Sequence, residues 1–94
     1  MAWVYIVECN DGSYYTGSTV DLERRIFEHN EGLGANFTRK KRPVTLVFAE
    51  PSDSLETAFL REKQIQGWSR AKKRALIESR WDDLPQLAQR RQRQ

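Results

Sequence analysis

Glu62 is a carboxylate at a position where the sequence predicts a buried side chain. If residues 53–66 form a helix, a rotation of roughly 100° per residue places Glu62 on the apolar side of that helix. That side consists of Leu55, Ala58, Phe59 and Ile65. A buried carboxylate is costly unless a cation, a metal ion or several hydrogen-bond donors compensate its charge. Glu62 is therefore a candidate metal ligand, and the alternative is an ion pair with an Arg or Lys on a neighbouring element.

Two tyrosines, an arginine and a histidine are further candidates for chemistry. They are Tyr5, Tyr15, Arg25 and His29. Guanidinium groups bind anions, while phenols and imidazoles can transfer protons. Each residue also has a structural explanation, because Arg stems often cover apolar surface and a single His on a helix is commonly a satisfied core residue. Whether they act together depends on the elements that carry them.

The two tyrosines lie on a predicted β-hairpin. Apolar and aromatic residues at 3–8 and 14–18 flank the turn sequence Asn10-Asp11-Gly12. A three-residue loop, closed by Gly12 in the left-handed region, would place Tyr5 opposite Gly17 and both tyrosines on one face. A two-residue loop would shift the register by one residue and separate the tyrosines onto opposite faces.

The segment after the hairpin predicts a helix that carries Arg25 and His29. Asp21 is the expected N-cap, the helix runs to about Asn30, and one of two glycines ends it, Gly32 or Gly34. Arg25 and His29 flank an apolar line. This line consists of Leu22, Ile26 and Leu33. Two charged residues are expected to point toward solvent, namely Arg24 and Glu28.

A loop and a third strand follow this helix. Residues 34–42 are predicted to form an exposed loop that ends at Pro43. The strand covers 44–50, and Pro51 is expected to stop it. The sheet therefore has three strands.

Two helices complete the predicted fold. Asp53, with Glu56 three residues later, resembles a capping box that starts the Glu62 helix, and Gly67 ends it. A last helix runs from about 70 to 79 after the cap Ser69, with its inward residues expected to be Ala71, Ala75 and Leu76 or Ile77. The fold class is α+β, a small antiparallel three-stranded sheet flanked by helices in the order β-β-α-β-α-α.

Composition predicts one small domain with a clustered positive charge. The 94 residues carry 16 Lys and Arg against 13 Asp and Glu, a net charge of +3. We assign the domain to 1–80 and expect 81–94 to be a polar and basic extension that is partly disordered. Three basic groups could track a polyanion, although each could also be a solvated surface. They are Arg39, Lys40, Lys41 and Arg42, then Arg70, Lys72, Lys73 and Arg74, then Arg90, Arg91 and Arg93.

The chain is expected to work in the cytoplasm. Its single cysteine, Cys9, cannot form an internal disulfide, which fits a reducing compartment. The apolar run at 3–7 is too short for a signal-peptide core, it lacks a basic leader, and no segment approaches a membrane span.

Together and in this order, these features resemble the GIY-YIG nuclease superfamily, whose name describes two short triads on adjacent strands. Here the triads read Trp3-Val4-Tyr5 and Tyr15-Thr16-Gly17. The resemblance covers roughly 3–79 and is closest to the small standalone bacterial members. The second triad, followed by Arg25 and His29, looks like the family's second triad leading into its arginine helix. Glu62 is similar to the family's metal-binding glutamate. The loop over 34–38 also looks like the standalone branch.

Two departures from the family pattern stand out. Trp3 replaces the first glycine of the family name. A polar residue after the glutamate, often Asn, supports the site in some members, and the sequence leaves three candidates for it: Gln64, Gln66 and Ser69.

The resemblance implies hydrolysis of a phosphodiester by an endonuclease-type mechanism. Glu62 would hold Mg²⁺ or Mn²⁺, and Arg25 would bind the phosphate. The attacking water would be oriented or deprotonated by Tyr5, Tyr15 or His29, and the sequence does not choose among them.

The expected partner is nucleic acid, taken as DNA. No association with a membrane is expected. Its backbone would contact the basic residues Arg39, Lys40, Lys41, Arg42, Arg70, Lys72 and Lys73. Phe37 and Trp68 could stack on bases or pack in the core. The alternatives are a nucleic-acid-binding module with the same fold and little catalysis, or a protein-interaction domain. A protein partner and the oligomeric state stay open.

Overall fold

The first two strands form the hairpin that carries both tyrosines. In the computed structural model, which describes residues 1–79, β1 spans Ala2–Glu8 and β2 spans Tyr14–Thr19. Tyr5 pairs with Gly17, and Gly12 closes the turn with a φ of +86°. The three-residue loop is therefore confirmed, and strand alternation places Tyr5 and Tyr15 on the same face.

A third strand completes the antiparallel sheet. β3 spans Thr45–Ser52 and pairs with β1, so the strand order is β2-β1-β3. The prediction that Pro51 stops this strand is wrong, because β3 is an edge strand and tolerates a residue without an N–H. The central strand β1 contributes the deepest part of the core, with four consecutive residues at most 1% exposed: Val4, Tyr5, Ile6 and Val7.

The helix that carries Arg25 and His29 has the predicted boundaries. α1 spans Leu22–Asn30, the side chain of Asp21 caps it, and Gly32 follows its end with a φ of +80°. Ile26 packs against the core, but Leu33 is 70% exposed. Leu33 lies beyond the end of α1, so the observed apolar line consists of Leu22 and Ile26 only.

A short helix interrupts the segment that the sequence predicts as an exposed loop. α2 spans Asn36–Arg39, and its residue Thr38 is fully buried. The prediction is wrong at this point because a helix of four residues shows no periodicity to detect. The observed order is β-β-α-α-β-α-α, which is the predicted order with one short helix added.

The helix that carries Glu62 buries fewer of its residues than predicted. α3 spans Leu55–Gln66 and is capped by Ser54, not by Asp53, so the predicted capping box is wrong. Leu55 and Phe59 are 48% and 47% exposed, which contradicts their expected place on the buried side. The buried residues of α3 are Ala58, Glu62 and Ile65.

The last helix touches the core only near its end. α4 spans Arg70–Ser79 after the cap Ser69, and Ile77 is buried whereas Ala71 and Ala75 are exposed, so the inward prediction is wrong for the two alanines. Within residues 1–79, no helix is long and apolar enough to cross a membrane. The predicted extension 81–94, with Arg90, Arg91 and Arg93, lies outside the described residues.

Candidate active site

Tyr5 and His29 form a buried hydrogen-bonded pair at the centre of the candidate site. Both side chains are buried, and the Tyr5 hydroxyl lies 2.8 Å from Nε2 of His29. The ring planes meet at 67° with centroids 5.8 Å apart. The sequence places His29 on the flank of α1, and the structure turns it fully inward onto the sheet.

Two glycines bring backbone directly against this pair. A Cβ added at Gly17 would overlap the Tyr5 hydroxyl, and one added at Gly34 would overlap Nδ1 of His29. The glycine of the second triad is thus explained by the close approach of a phenol. The two glycines thus allow backbone to lie close to the hydroxyl and the imidazole.

Tyr15 joins the pair and links it to α2. Its ring lies edge-on to His29 at 5.3 Å and stacks on Phe37 at 5.9 Å. The ammonium of Lys41 lies 3.8 Å from the centre of the Phe37 ring. We call Tyr5, Tyr15 and His29 the tyrosine–histidine cluster.

Both phenols of this cluster are protonated at neutral pH. Burial raises the pKa of Tyr5 to about 12, although a hydrogen bond and the charge of Arg25 oppose the rise. Burial, followed by the charge of Glu62, also raises the pKa of Tyr15. Neither tyrosine is a ready base on its own.

His29 is a neutral imidazole at neutral pH. Burial lowers its pKa to about 4, and the charge of Arg25 lowers it further, while Glu28 opposes the change. A neutral imidazole carries one bare nitrogen that can accept a proton. The only histidine of the chain is thereby held in its acceptor form.

Arg25 is positioned by an acidic neighbour on α1. Its Nη1 donates to Oε1 of Glu28 at 3.0 Å, and Nε of Arg24 lies 3.3 Å from Oε2 of the same carboxylate. Glu28, which the sequence predicts to point toward solvent, keeps a side-chain exposure of 27% while two arginines of α1 contact it. Hydrogen bonding to Arg25 lowers the pKa of Glu28, so this carboxylate stays ionised.

Glu62 is held by neutral donors. Its side chain is buried, with Oε1 accepting from the Ser18 hydroxyl at 2.6 Å and Oε2 accepting from the Gln66 amide at 2.7 Å. Within residues 1–79 no Lys or Arg forms an ion pair with it. The ion-pair alternative is therefore not what the described residues show. We call Ser18, Glu62 and Gln66 the carboxylate cluster.

Gln66 is the polar residue after the glutamate that the sequence leaves open. Besides Glu62, its amide donates to the backbone oxygen of Thr16 at 3.1 Å. The other two candidates are engaged elsewhere, because Gln64 accepts from Arg61 and Ser69 caps α4. Its spacing of four residues from Glu62 on one helix is the signal that could have identified it.

The two clusters approach the edge strand β2 from opposite faces. Strand alternation puts Tyr15 and Gly17 on the face of His29, and Ser18 on the other face with Glu62. The charge of Glu62 still acts on both phenols across this strand. A surface cleft of about 520 Å³ runs around the end of β2, and its lining includes Ser18, Arg24, Arg25, Glu28 and Leu55.

The carboxylate cluster fits a hard divalent cation. Its carboxylate charge meets only neutral donors, and no group of three or more His, Cys, Asp or Glu lies together within residues 1–79. Mg²⁺ accepts one carboxylate when water and substrate phosphate supply the other ligands. The residues present therefore suit an ion that arrives with its substrate, and Glu62 would be its acidic ligand.

The predicted basic residues lie on two separate surfaces. Arg39, Lys40 and Arg42 line a pocket of about 430 Å³ beside Asn30. Arg42 also donates from Nε to the Arg39 carbonyl at 2.8 Å, so its side chain binds the C-terminal end of α2 as well as lining the pocket. Nζ of Lys41 forms an ion pair with Oδ2 of Asp11 at 3.5 Å.

The second basic surface combines cations with aromatic rings. Arg70 lies over Tyr14 at 4.4 Å, and Lys72 lies over Trp68 at 4.4 Å. Lys73, on the same helix, is half-buried. Trp68 also packs against the core, so its ring is shared between core and surface.

Comparison with known proteins extends across nearly all of the described chain. Residues 1–75 match the family model of the GIY-YIG catalytic domain. A UPF0213 protein of Halobacterium salinarum is 53% identical over 77 residues, which is 82% of this chain and 100% of the relative. A UPF0213 protein of Staphylococcus saprophyticus is 49% identical over 75 residues, which is 80% of this chain and 92% of the relative.

Solved structures show the same architecture. The solution structure of a UPF0213 protein from Bacillus halodurans has a TM-score of 0.54 and 44% identity, covering 84% of this chain and 85% of that one. That of a protein from E. faecalis has a TM-score of 0.56 and 35% identity, with 82% of each chain covered. Triads, helix order and extended similarity agree, and the chain belongs to the GIY-YIG family.

Proposed function

We propose that this protein is a metal-dependent endonuclease that hydrolyses phosphodiester bonds in nucleic acid, with DNA as the substrate class. A GIY-YIG catalytic domain implies nuclease activity in general. The observation that carries the finer proposal is the carboxylate of Glu62, which is buried against neutral donors and lies across one strand from the tyrosine–histidine cluster. Such a carboxylate gains most from a divalent cation.

Tyr5 and His29 move the proton of the attacking water. Burial holds Tyr5 in its protonated form and His29 in its neutral form, so Tyr5 is not ionised in advance by transfer of its proton to His29. The Tyr5 oxygen instead takes a proton from water as its own proton passes to Nε2 of His29. The water oxygen forms a bond to phosphorus, the bond to the leaving oxygen breaks, and solvent protonates that oxygen.

Arg25 binds the phosphate that undergoes attack. Its side chain lines the cleft and its charge acts on both Tyr5 and His29, so a phosphate held there would be near the proton-transfer pair. To bind it in a bidentate manner, Arg25 exchanges its contact with Glu28 for the phosphate oxygens. A planar guanidinium suits this role better than an ammonium.

Ser18 and Gln66 orient the carboxylate that would hold the metal. Each donates to a different oxygen of Glu62, which fixes its rotamer. When bound, a divalent cation stabilises negative charge on the phosphate and the leaving oxygen.

The basic surfaces supply affinity without sequence selection. Arg39, Lys40 and the cations of α4 would contact backbone phosphates, which carry no base information. A cytoplasmic location is part of the proposal, since the free, buried thiol of Cys9 suits a reducing compartment.

Nicking of supercoiled plasmid and of branched DNA tests the proposal. Wild-type protein should cleave with Mg²⁺ or Mn²⁺ and not with chelator. Glu62→Gln should lose at least roughly a hundredfold in rate, since the metal's contribution amounts to several kcal/mol. Glu56→Gln, an exposed change on the same helix, serves as the matched control. Equal cleavage by the wild type and Glu62→Gln would refute the assignment of Glu62.

A second candidate is a nucleic-acid-binding module with little catalysis. The observation that favours it is the contact between Arg25 and Glu28, which occupies the phosphate-binding group. This candidate predicts DNA binding with a steep salt dependence and no cleavage with either metal.

A further inference from the structure

Thr38 makes a contact that the proton-transfer pair depends on. It lies on α2 and is fully buried, although its type and its place in a predicted loop gave no sign of a role. Its hydroxyl oxygen is 2.9 Å from Nδ1 of His29 and donates to the backbone oxygen of Ala35 at 3.0 Å. Thr38 therefore connects the imidazole to a backbone carbonyl.

The direction of these hydrogen bonds follows from the end of the chain of contacts at Ala35. The Ala35 carbonyl can only accept, so the single hydroxyl hydrogen of Thr38 points to it and the Thr38 oxygen accepts from Nδ1 of His29. The imidazole hydrogen then lies on Nδ1, and the bare Nε2 accepts the hydrogen of the Tyr5 hydroxyl.

The opposite direction leaves a buried hydrogen without an acceptor. If Nε2 carried the proton, it would donate to the Tyr5 oxygen, and the Tyr5 hydrogen would have no other acceptor among the described residues. A buried donor without an acceptor is unfavourable. A single direction of donation satisfies every group: Tyr5, His29, Thr38 and the Ala35 carbonyl.

We infer that Thr38 is a positioning residue that holds His29 in the tautomer protonated at Nδ1, so that the bare Nε2 faces the hydroxyl of Tyr5. The catalytic purpose of this arrangement rests on the proposed function. In the reaction, the Nδ1 hydrogen of His29 stays hydrogen-bonded to Thr38 while Nε2 receives the proton of Tyr5. Gly34 brings backbone against the same nitrogen, so the segment from 34 to 39 forms one wall of the site.

Nitrogen NMR of the imidazole tests this inference without any substrate. His29 is the only histidine, so a long-range ¹H–¹⁵N spectrum of uniformly labelled protein reports it without ambiguity. The wild type should show a protonated Nδ1 and a bare Nε2 at neutral pH. Thr38→Val, which keeps the shape and removes the hydroxyl, should populate the other tautomer, and Thr38→Ser should restore the wild-type pattern.

Cleavage assays then show whether the tautomer matters for the reaction. Thr38→Val should lower kcat roughly tenfold to a hundredfold with KM unchanged, and Thr38→Ser should recover most of the loss. A wild-type spectrum with Nε2 protonated overturns the inference, and so does a Thr38→Val protein with an unchanged tautomer or unchanged kcat. Should Thr38→Val not fold, the wild-type and Thr38→Ser spectra still decide. A correct tautomer in a protein that cleaves nothing overturns the proposed function and leaves the hydrogen-bond assignment standing.

Discussion

The two clusters that meet at strand β2 handle charge in opposite ways. The tyrosine–histidine cluster contains only neutral groups at neutral pH, and its central hydrogen bonds are made within the protein. The carboxylate cluster keeps a charge that only a hydroxyl and an amide face. Under the proposed function, the proton-transfer half of the site would be complete at rest, whereas a bound cation would complete the charge-compensating half.

Tyr5→Phe should have the largest effect on this comparison. Removing the hydroxyl takes away the proton carrier and leaves Nε2 of His29 without its donor, so kcat should fall roughly 10²–10⁴-fold. Steady-state cleavage assays give the rate, and denaturant unfolding should show a loss of only about 1–3 kcal/mol. Tyr14→Phe, a hairpin tyrosine outside the cluster, is the control. A fully active Tyr5→Phe protein would exclude Tyr5 from the reaction.

The pH dependence of the free energy of unfolding should report the burial of His29 as a neutral imidazole. Its pKa is about 4 in the folded protein and about 6.5 when unfolded, so as the pH falls below 6.5 the unfolded state takes up a proton first. The free energy of unfolding should therefore be flat above pH 6.5 and fall by roughly 3 kcal/mol by pH 4. Urea unfolding across this window measures it.

His29→Gln is the matched variant for this measurement. It lacks the titrating group, so the slope between pH 6.5 and 4 should become much shallower and keep only the contribution of carboxylates such as Glu28 and Asp11, which both proteins share. Identical slopes in the two proteins would show that His29 does not titrate as described.

Gln66→Ala should weaken the charge-compensating half alone. Without its amide, Glu62 loses one of its two orienting donors, so the Mg²⁺ concentration for half-maximal cleavage should rise roughly 10–100-fold. Metal titrations of the cleavage rate measure this change. Gln64→Ala, on the same helix but directed to Arg61, should leave the titration unchanged, and a similar shift in both variants would contradict the role of Gln66.

Glu28→Gln should give the smallest change, an increase in DNA affinity. Loss of the carboxylate frees Arg25, and because a surface ion pair contributes little, binding should tighten by only up to roughly fivefold. Fluorescence anisotropy with labelled duplex measures it. Glu23→Gln removes an equal charge from the same helix, and equal tightening in both variants would show a general charge effect only.

The sequence was informative wherever a local rule decides the structure. The turn residues Asn10-Asp11-Gly12 locate the hairpin, and Asp21 starts α1, so the elements that carry Tyr5, Tyr15 and Arg25 could be predicted, while the register stayed open between two loop types until the structure gave the pairing. The fold class and the family followed from the same residues.

What escaped prediction depends on contacts between distant segments. Thr38 is buried because His29 offers it a partner, and Gln66 was chosen over two other candidates by where α3 crosses β2. The contacts Thr38–His29 and Gln66–Thr16 join separate segments, and no periodicity or capping pattern in a single sequence displays them.

The contact between Gln66 and Thr16 also bears on how the sheet ends. A three-stranded sheet exposes two edges, and a bare edge can recruit a strand from another molecule. On β2 the Gln66 amide already occupies the Thr16 carbonyl, and on β3 Pro51 has no hydrogen to offer. The glutamine that orients the carboxylate thus also opposes self-association of the chain by strand addition.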